Sequence, residues 1–210
     1  MKDGQEIVAI VDDDESIRKA LCMLIETLGV SVRLYASALE LLEDSQHGEC
    51  DCVLLDVRMR GMTGLELQSE LAARGWLAPI IFMTGHGDVP MAVQAMQGGA
   101  VDFLLKPLDD RVLLDRIRSA LEANRLRLAR DESRAESRRR LQLLSRRENE
   151  VLQRLIKGEM NKVVAAELGI SIKTVEDHRA SIMSKMGVKS FAELLRMVHD
   201  ARGRANNNHT

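Results

Sequence analysis

The chain has 210 residues, enough for one large domain or two small ones, and 45% of them are hydrophobic, which excludes a disordered chain. Aromatic residues make up only 2%, so recognition of single-stranded nucleic acid by base stacking is poorly supported. No apolar run reaches the roughly 18 residues of a membrane span, and no secretory signal is present, so we expect a cytoplasmic protein with no membrane partner. The three cysteines, Cys22, Cys50 and Cys52, lack metal-site spacing and fit reduced thiols.

The net charge of −2 hides an uneven distribution of charge along the chain. Residues 1–120 contain 11 Lys and Arg against 20 Asp and Glu, whereas residues 121–210 contain 19 against 12. An acidic half and a basic half indicate different partners, and the basic half could face nucleic acid. Charge alone does not separate this interpretation from an ordinary solvated surface.

Residues 1–121 alternate apolar runs with segments of helical spacing. The predicted strands are 7–11, 30–34, 52–55, 79–83 and 101–105. Five helices are predicted. The first follows Asp14, and the second opens at the capping box Ser37-x-x-Glu40. The third and fourth cover 65–74 and 90–97, and the fifth starts near Asp109. Strands that alternate with helices predict a doubly wound parallel sheet of five strands with helices on both faces.

Polar side chains follow four of the five predicted strands. Asp12 and Asp13 follow the first strand and Asp56 the third, while Thr84 and Lys106 follow the fourth and fifth. Because ligands of such sheets bind at the carboxyl ends of the strands, we expect these side chains to meet at one edge. Three crowded carboxylates repel one another unless a cation lies among them, and oxygen ligands of this kind describe a Mg²⁺ site.

The same residues are suited to phosphoryl transfer. Mg²⁺ would neutralise the developing charge, and Asp56 can act as a carboxylate nucleophile that forms an aspartyl phosphate. Lys106 would pair with the phosphoryl oxygens, and Thr84 would donate a hydrogen bond to them. The acidic run after the first strand could instead cap the next helix, since acids favour helix N-termini; we expect that role for Asp14 alone.

Five ordered segments resemble the CheY-like receiver domain of response regulators. They are VDDD (11–14), LLDVRM (54–59), GMTG (61–64), FMTG (82–85) and DFLLKP (102–107). The resemblance implies a flavodoxin-like α/β fold with an acidic pocket of Asp12 and Asp13, in which Asp13 is a direct Mg²⁺ ligand. It also implies that Asp56 is the phosphoacceptor and that the backbone carbonyl of Arg58 is the third metal ligand.

The resemblance further implies a switch. Thr84 matches the switch hydroxyl, Phe103 the switch aromatic and Lys106 the phosphate-binding lysine, and the peptide bond before Pro107 is usually cis in the family.

The loop after Asp56 departs from the family pattern. Arg60 stands where proline is usual, which removes no ligand. Arg58 and His86 occupy positions that flank the phosphoryl group, and our hypothesis is that they tune the lifetime of the aspartyl phosphate.

Residues 122–143 contain seven Arg and few apolar side chains. Leu114, Leu121, Leu128 and Ala135 recur every seven residues. We predict that the last receiver helix continues through this helical linker, either as a weak coiled-coil seam or as a solvated charged helix.

Residues 144–202 have an all-helical pattern. A capping box, Ser145-x-x-Glu148, opens the first helix, and a short helix at 163–168 precedes a longer one at 172–186. A short helix, a glycine-containing turn and a longer helix predict a helix-turn-helix that binds double-stranded DNA. Its predicted core is Val163, Ala166, Leu168, Ile170, Val175 and Ile182. Residues 203–210 are predicted to form a disordered tail.

The N-terminal end of the longer helix should lie near base edges in the major groove. The candidate DNA-contacting residues at the two helix starts are Asn161, Lys162, Lys173, Thr174, Glu176, Asp177, His178 and Arg179. The basic side chains can meet phosphates or guanine. Glu176 and Asp177 weaken the electrostatic attraction, and Glu176 could accept from cytosine or simply face solvent. A solvated helix surface is the alternative for each charged residue.

Residues 144–190 closely resemble the LuxR-type helix-turn-helix in the segments RENEVL, ISIKTVEDHR and IMSKMGV. Residues 191–198 fit the fourth helix of that family, which often dimerises. With a receiver in front, the chain is similar to the NarL/FixJ class of response regulators. The resemblance implies a transcription regulator that a sensor histidine kinase phosphorylates on Asp56 with Mg²⁺, and that forms a homodimer when phosphorylated.

Two alternatives belong to other classes. One is an orphan DNA-binding regulator whose receiver never meets a kinase. The other is a phosphohydrolase with Asp56 as its nucleophile, in which Arg58 stands where a second acid is usual. We expect no enzyme activity beyond the chain's own phosphorylation and dephosphorylation.

Overall fold

The computed structural model describes residues 5–44, 47–85 and 89–203, and the chain divides into two compact units, residues 1–128 and 129–210. Apart from Gly203, the predicted disordered tail lies outside the described residues, as does His86. Within the described ranges, none of the helices has the length and apolar character needed to cross a membrane.

The first unit is a five-stranded parallel sheet with helices on both faces, as predicted. Its strands are β1 (Ile7–Val11), β2 (Ser31–Tyr35), β3 (Cys52–Asp56), β4 (Ile80–Thr84) and β5 (Asp102–Leu105). Its helices are α1 (Glu15–Glu26), α2 (Ala38–Glu43), α3 (Gly64–Ala73), α4 (Val89–Gln97) and the start of α5 (Asp110–Gln142), with a short 3₁₀ helix at His47–Glu49 that was not predicted. The strand order is β2-β1-β3-β4-β5, so the chain reverses direction across the sheet between β1 and β3. Ligand crevices of open α/β sheets form at this reversal.

The central strand β3 shows why the sheet is buried on both faces. All five of its residues are buried, and alternate side chains enter separate apolar clusters. Val53 and Leu55 belong to the cluster beneath α2, α3 and α4, whereas Cys52 and Leu54 belong to the one beneath α1 and α5. A strand covered by helices on both faces needs a continuous apolar run, and the residues of β3 supply it.

The cysteines are placed without disulfides. Cys50 and Cys52 are buried, and Cys22 is partly buried on α1. Burial raises the pKa of the Cys50 thiol and raises that of Cys52 to about 12. Both buried thiols are therefore protonated and unreactive in the folded chain.

Helix caps account for two of the predicted helix starts. Asp14 caps α1, as predicted, and its side chain accepts from the backbone N–H of Ser16 at 2.8 Å. The capping box at Ser37 is only half formed: Ser37 accepts from the backbone N–H of Glu40, but the Glu40 carboxylate accepts from the N–H of Ala36 instead. In a full box the carboxylate three residues on accepts from the cap residue's own N–H, and here the N–H of Ala36 takes that place.

Helix α5 runs without interruption and contributes to both units. Leu113, Ile117 and Leu121 pack into the sheet core of the first unit, whereas Leu128 is exposed. Leu121 is buried beneath the sheet and is therefore not available to a seven-residue seam, and the seam and the solvated helix both stay predictions for the rest of the linker. The division between units falls after residue 128, inside the predicted linker.

The second unit is all-helical. After the last turns of α5 it contains α6 (Arg146–Leu155), α7 (Asn161–Leu168), α8 (Ile172–Met186) and α9 (Phe191–Arg202). A full capping box at Ser145 and Glu148 opens α6, as predicted. The core is formed by Leu144, Val151, Leu152, Leu155, Val164, Ala165, Val175, Ile182, Met186, Leu194 and Val198.

The core prediction was wrong for α7. Val164 and Ala165 are buried, whereas Val163 and Ala166 are exposed. The run Val-Val-Ala-Ala offers two equally apolar helix faces, and local sequence does not distinguish them. Packing selects the face that Leu168 shares at helical spacing.

The last turns of α5 belong to the core of the second unit. Arg140 donates to the backbone carbonyl of Met186 at 2.8 Å, where α8 ends, and Leu141 packs against the apolar cluster. We expect a fragment of residues 144–203, which lacks these contacts, to be less stable than residues 129–203 by about 2 kcal/mol. Thermal unfolding by circular dichroism should show a midpoint lower by on the order of 10 °C. Equal midpoints would show that α5 does not stabilise this unit.

Candidate functional site

The carboxyl ends of the strands bring four predicted site residues to one edge of the sheet. Asp56 and Thr84 are the last residues of β3 and β4, which lie side by side. Asp12 directly follows β1, and Lys106 directly follows β5. Asp12, Asp56 and Thr84 are almost completely buried although they are polar. Burying two carboxylates is costly unless cations or hydrogen bonds compensate for the lost water.

Lys106 provides that compensation. Its Nζ lies 2.6 Å from Asp12 Oδ2 and 2.7 Å from Asp56 Oδ1. Burial raises the pKa of Asp56 above its usual range, and the hydrogen bond from Lys106 opposes this shift. Burial alone would lower the pKa of Lys106, but the two carboxylates outweigh it and raise the pKa. Lys106 is therefore held in its charged form between the two acids.

Backbone amides hold the remaining carboxylate oxygens. The N–H of Arg58 donates to Asp56 Oδ2 at 2.8 Å, and the N–H of Asp14 donates to Asp12 Oδ1 at 2.9 Å. The Arg18 guanidinium donates to the backbone carbonyl of Asp12 at 2.6 Å. Each buried carboxylate thus has one oxygen on the ammonium and one on an amide, which fixes its orientation before any reaction.

Gly64, the first residue of α3, lies directly against the end of β3. Its N–H donates to the carbonyl of Val57 at 2.9 Å, and a Cβ at this position would overlap the backbone carbonyl oxygen of Asp56. Sequence reasoning identified a glycine-containing loop here but missed this contact. The signal available was a glycine placed directly after the helix cap Thr63.

Asp13 has a different environment from the buried pair. Its side chain is one-third exposed, and Arg60 Nε lies 3.7 Å from its Oδ2. Over the ranges that the structure describes, no three His, Cys, Asp or Glu side chains gather in a metal-binding arrangement. The donors at this edge are nonetheless carboxylate and carbonyl oxygens, and Mg²⁺ commonly uses only one or two protein carboxylates beside water and phosphoryl oxygens. The residues therefore fit Mg²⁺ in chemical type, and the ligand role of Asp13 stays a prediction.

The predicted switch aromatic lies on β5, three residues before Lys106. Phe103 on β5 is partly buried, and its ring centroid is 6.3 Å from that of Phe82 on β4. The Lys106–Pro107 peptide bond is cis, as the resemblance implied. The Arg58 side chain is exposed beside Asp56.

The predicted DNA-contacting residues divide into outward and inward groups. Lys162, Lys173, Glu176 and Asp177 are exposed. His178 is half-buried, and the hydroxyl of Thr174 lies 2.8 Å from that of Ser171 at the cap of α8.

Arg179 contributes to the packing of the second unit. It donates to Asn161 Oδ1 at 3.0 Å, and its guanidinium lies 5.4 Å from the centroid of the Phe191 ring. These two contacts join α8 to the starts of α7 and α9, and such a cation–ring contact is stabilising. Sequence reasoning missed this role, because nothing in the local pattern pairs residues so far apart.

Family comparisons match both units. Residues 8–118 match the model of the response regulator receiver domain, and residues 142–198 match the model of bacterial regulatory proteins of the luxR family.

Similar proteins extend over nearly the whole chain. The transcriptional regulatory protein FixJ of Azorhizobium caulinodans is 44% identical over 190 residues, which cover 90% of each chain. Nodulation protein W of Bradyrhizobium diazoefficiens is 44% identical over 91% of this chain and 84% of its own. The structure of the response regulator StyR has a TM-score of 0.84 and 42% identity over 93% of this chain and 99% of its own.

These matches carry family-level properties. Receiver domains generally use Mg²⁺ for phosphorylation and imply a histidine kinase partner, and the luxR-family domain implies DNA binding. The similar proteins are named as transcriptional regulatory proteins and response regulators. The chain therefore belongs to the FixJ-type response regulators, transcription factors that combine a receiver domain with a LuxR-type helix-turn-helix.

Proposed function

We propose that Asp56 accepts a phosphoryl group from a sensor histidine kinase, and that this modification controls binding of the second unit to double-stranded DNA. The observation that carries the proposal is the buried cluster in which Lys106 is shared by Asp12 and Asp56. A carboxylate nucleophile beside a charged lysine suits acyl phosphate formation, because the product adds negative charge that the ammonium offsets. Since the proposed target is DNA, we expect the protein to act in the cytoplasm.

Each residue of the edge has a proposed role. Asp12, Asp13, Asp56 and the backbone carbonyl of Arg58 would hold Mg²⁺. When bound, Mg²⁺ neutralises the charge that develops on the phosphoryl oxygens. Lys106 would then pair with those oxygens, and the Thr84 hydroxyl would donate to them. We expect no chemistry beyond the chain's own phosphorylation and dephosphorylation.

The proposed output is a two-state switch. Contact with the phosphoryl group would draw Thr84 and Phe103 into a second arrangement and alter the surface of α4, β5 and α5. This surface already exposes the apolar side chains Val93, Met96, Leu105 and Val112. Exposed apolar patches are typical of interaction sites, so we propose that phosphorylated receivers pair there. Paired helix-turn-helix units would bind half-sites about one helical turn apart.

The test is phosphorylation of the full chain by acetyl phosphate with Mg²⁺. Intact-protein mass spectrometry should show one added phosphoryl group, and ultracentrifugation should show a shift from monomer to dimer. Asp56→Asn should abolish both changes, because the nucleophile is lost. Lys106→Met should reduce the rate of phosphorylation by about tenfold or more, since the cation that offsets the added charge is lost.

Four outcomes would contradict parts of this proposal. An adduct that persists in Asp56→Asn would place the phosphoacceptor elsewhere. An adduct without a change in size would exclude receiver pairing as the output. No adduct in the unsubstituted chain would favour the orphan regulator, and steady turnover of a chromogenic phosphate ester would favour the phosphohydrolase.

A further inference from the structure

The outward surface of α8 is set by helical spacing. Its exposed residues are Ile172, Lys173, Glu176, Asp177 and Ala180. Val175, Ile182 and Met186 on the opposite side are buried in the core of the second unit. The exposed set recurs at intervals of three and four residues and so forms one continuous stripe. This stripe is the surface that α8 can present to a groove, and it contains one cation and two carboxylates.

Glu176 is the available acceptor on this stripe. Asp177 is engaged by Lys173, whose Nζ lies 3.2 Å from its Oδ1 one turn earlier. For the part of the chain that the structure describes, the Glu176 side chain has no hydrogen bond or ion pair. The two cations one turn away have other partners: Lys173 pairs with Asp177, and Arg179 donates to Asn161 and contacts Phe191. The other neighbours one turn away, Ile172 and Ala180, are apolar. Glu176 therefore presents an exposed carboxylate at the middle of the stripe.

We propose that Glu176 determines operator specificity by accepting a hydrogen bond from the N4 amino group of cytosine. The inference rests on the proposed function, because it requires α8 to enter the major groove. An ionised carboxylate has acceptors and no donors. In the major groove only cytosine N4 and adenine N6 donate, whereas guanine and thymine present acceptors that repel a carboxylate.

The groups next to each donor favour cytosine over adenine. Adenine N6 lies between two acceptors, its own N7 and the O4 of the paired thymine. Cytosine N4 has an acceptor on one side only, the O6 of the paired guanine. A carboxylate meets less repulsion at cytosine, and we expect roughly tenfold discrimination from this contact.

The experiment is selection from a pool of random-sequence duplexes by the full-length protein, with and without beryllofluoride and Mg²⁺. The unsubstituted chain should enrich a two-fold related site with cytosine at one position of each half. Glu176→Gln should enrich adenine at that position, because a glutamine amide matches adenine N6 and N7 together. Glu122→Gln is the matched control: it removes the same charge from an exposed residue of the first unit and should leave the site unchanged.

The outcomes separate this inference from the proposed function. Enrichment of one site by both the unsubstituted chain and Glu176→Gln would overturn the role of Glu176 and leave DNA binding intact. A site without cytosine in the unsubstituted chain would also overturn it. No enrichment in either state would overturn the proposed DNA binding, and the inference with it.

Discussion

Replacing Gly64 by alanine is expected to destabilise the first unit by about 3 kcal/mol or more. The added Cβ would overlap the carbonyl oxygen of Asp56 and crowd the ring of Phe82, so either α3 or the end of β3 must move. Urea unfolding followed by Trp76 fluorescence measures the effect, because the single tryptophan lies in this unit. Displacement of Asp56 should also slow phosphorylation by acetyl phosphate at urea concentrations where the unit is still folded.

Gly48→Ala is the control for this prediction. Gly48 has open space where its Cβ would lie, and its backbone does not adopt a positive φ. Alanine there should change the free energy of unfolding by less than about 1 kcal/mol. Equal losses of stability in the two variants would show that the close approach of Gly64 to Asp56 is not what limits this position.

Replacing Glu148 by glutamine is expected to destabilise the second unit by about 2–3 kcal/mol. The buried carboxylate accepts from Lys185 Nζ at 2.7 Å and from the Ser181 hydroxyl at 2.6 Å, and so joins the start of α6 to α8. The neutral variant removes the negative charge that pairs with Lys185 and leaves one acceptor oxygen where the carboxylate had two. Far-UV circular dichroism should show an earlier unfolding transition, whereas fluorescence should not change, because Trp76 and Tyr35 both lie in the first unit.

The pH dependence provides a second readout for Glu148. The hydrogen bonds from Lys185 and Ser181 lower the pKa of Glu148 from 4.5 to about 2, and the bond from Lys185 makes the larger contribution. A lowered pKa stabilises the fold above pH 4.5, and this contribution is lost as the pH falls toward 2. The difference in free energy of unfolding between the unsubstituted chain and Glu148→Gln should therefore become smaller as the pH falls over this range.

Glu150→Gln is the control for Glu148, since its ion pairs with Arg146 and Arg147 lie at the surface. We expect Glu150→Gln to change the free energy of unfolding by less than about 1 kcal/mol. If the loss of unfolding free energy in Glu148→Gln stays constant from neutral pH to pH 2, the substitution acts through lost packing rather than through lost charge.

The layout of the candidate site at the sheet edge could be predicted because parallel strands impose it. Once apolar runs are recognised as parallel strands, Asp12, Asp56, Thr84 and Lys106 must share an edge, whatever the helices do. The sequence does not contain the distances between them. That one ammonium contacts both acids depends on how far the loop after β5 extends, which only the folded chain determines.

The failures of prediction arise where two local solutions are equivalent or where the contact is distant. The predicted buried face of α7 was wrong because Val163 and Val164 are equally apolar, and an isolated helix could bury either one. The seven-residue repeat includes Leu121, but this side chain is buried beneath the sheet, and the repeat alone does not indicate that burial. The contact of Arg179 with Phe191 joins separate helices, and no periodicity within one helix reports it.

The positions of the cysteines give the chain an internal chemical marker for opening. All three thiols lie in the first unit, two of them buried with raised pKa values. A thiol-directed reagent can reach the buried Cys50 and Cys52 only when the structure around them opens, so their modification records excursions of the receiver alone. The DNA-binding unit contains no thiol, so its opening does not contribute to the labelling. Slow labelling over hours would therefore measure how often the receiver opens under native conditions, independently of how the helix-turn-helix behaves.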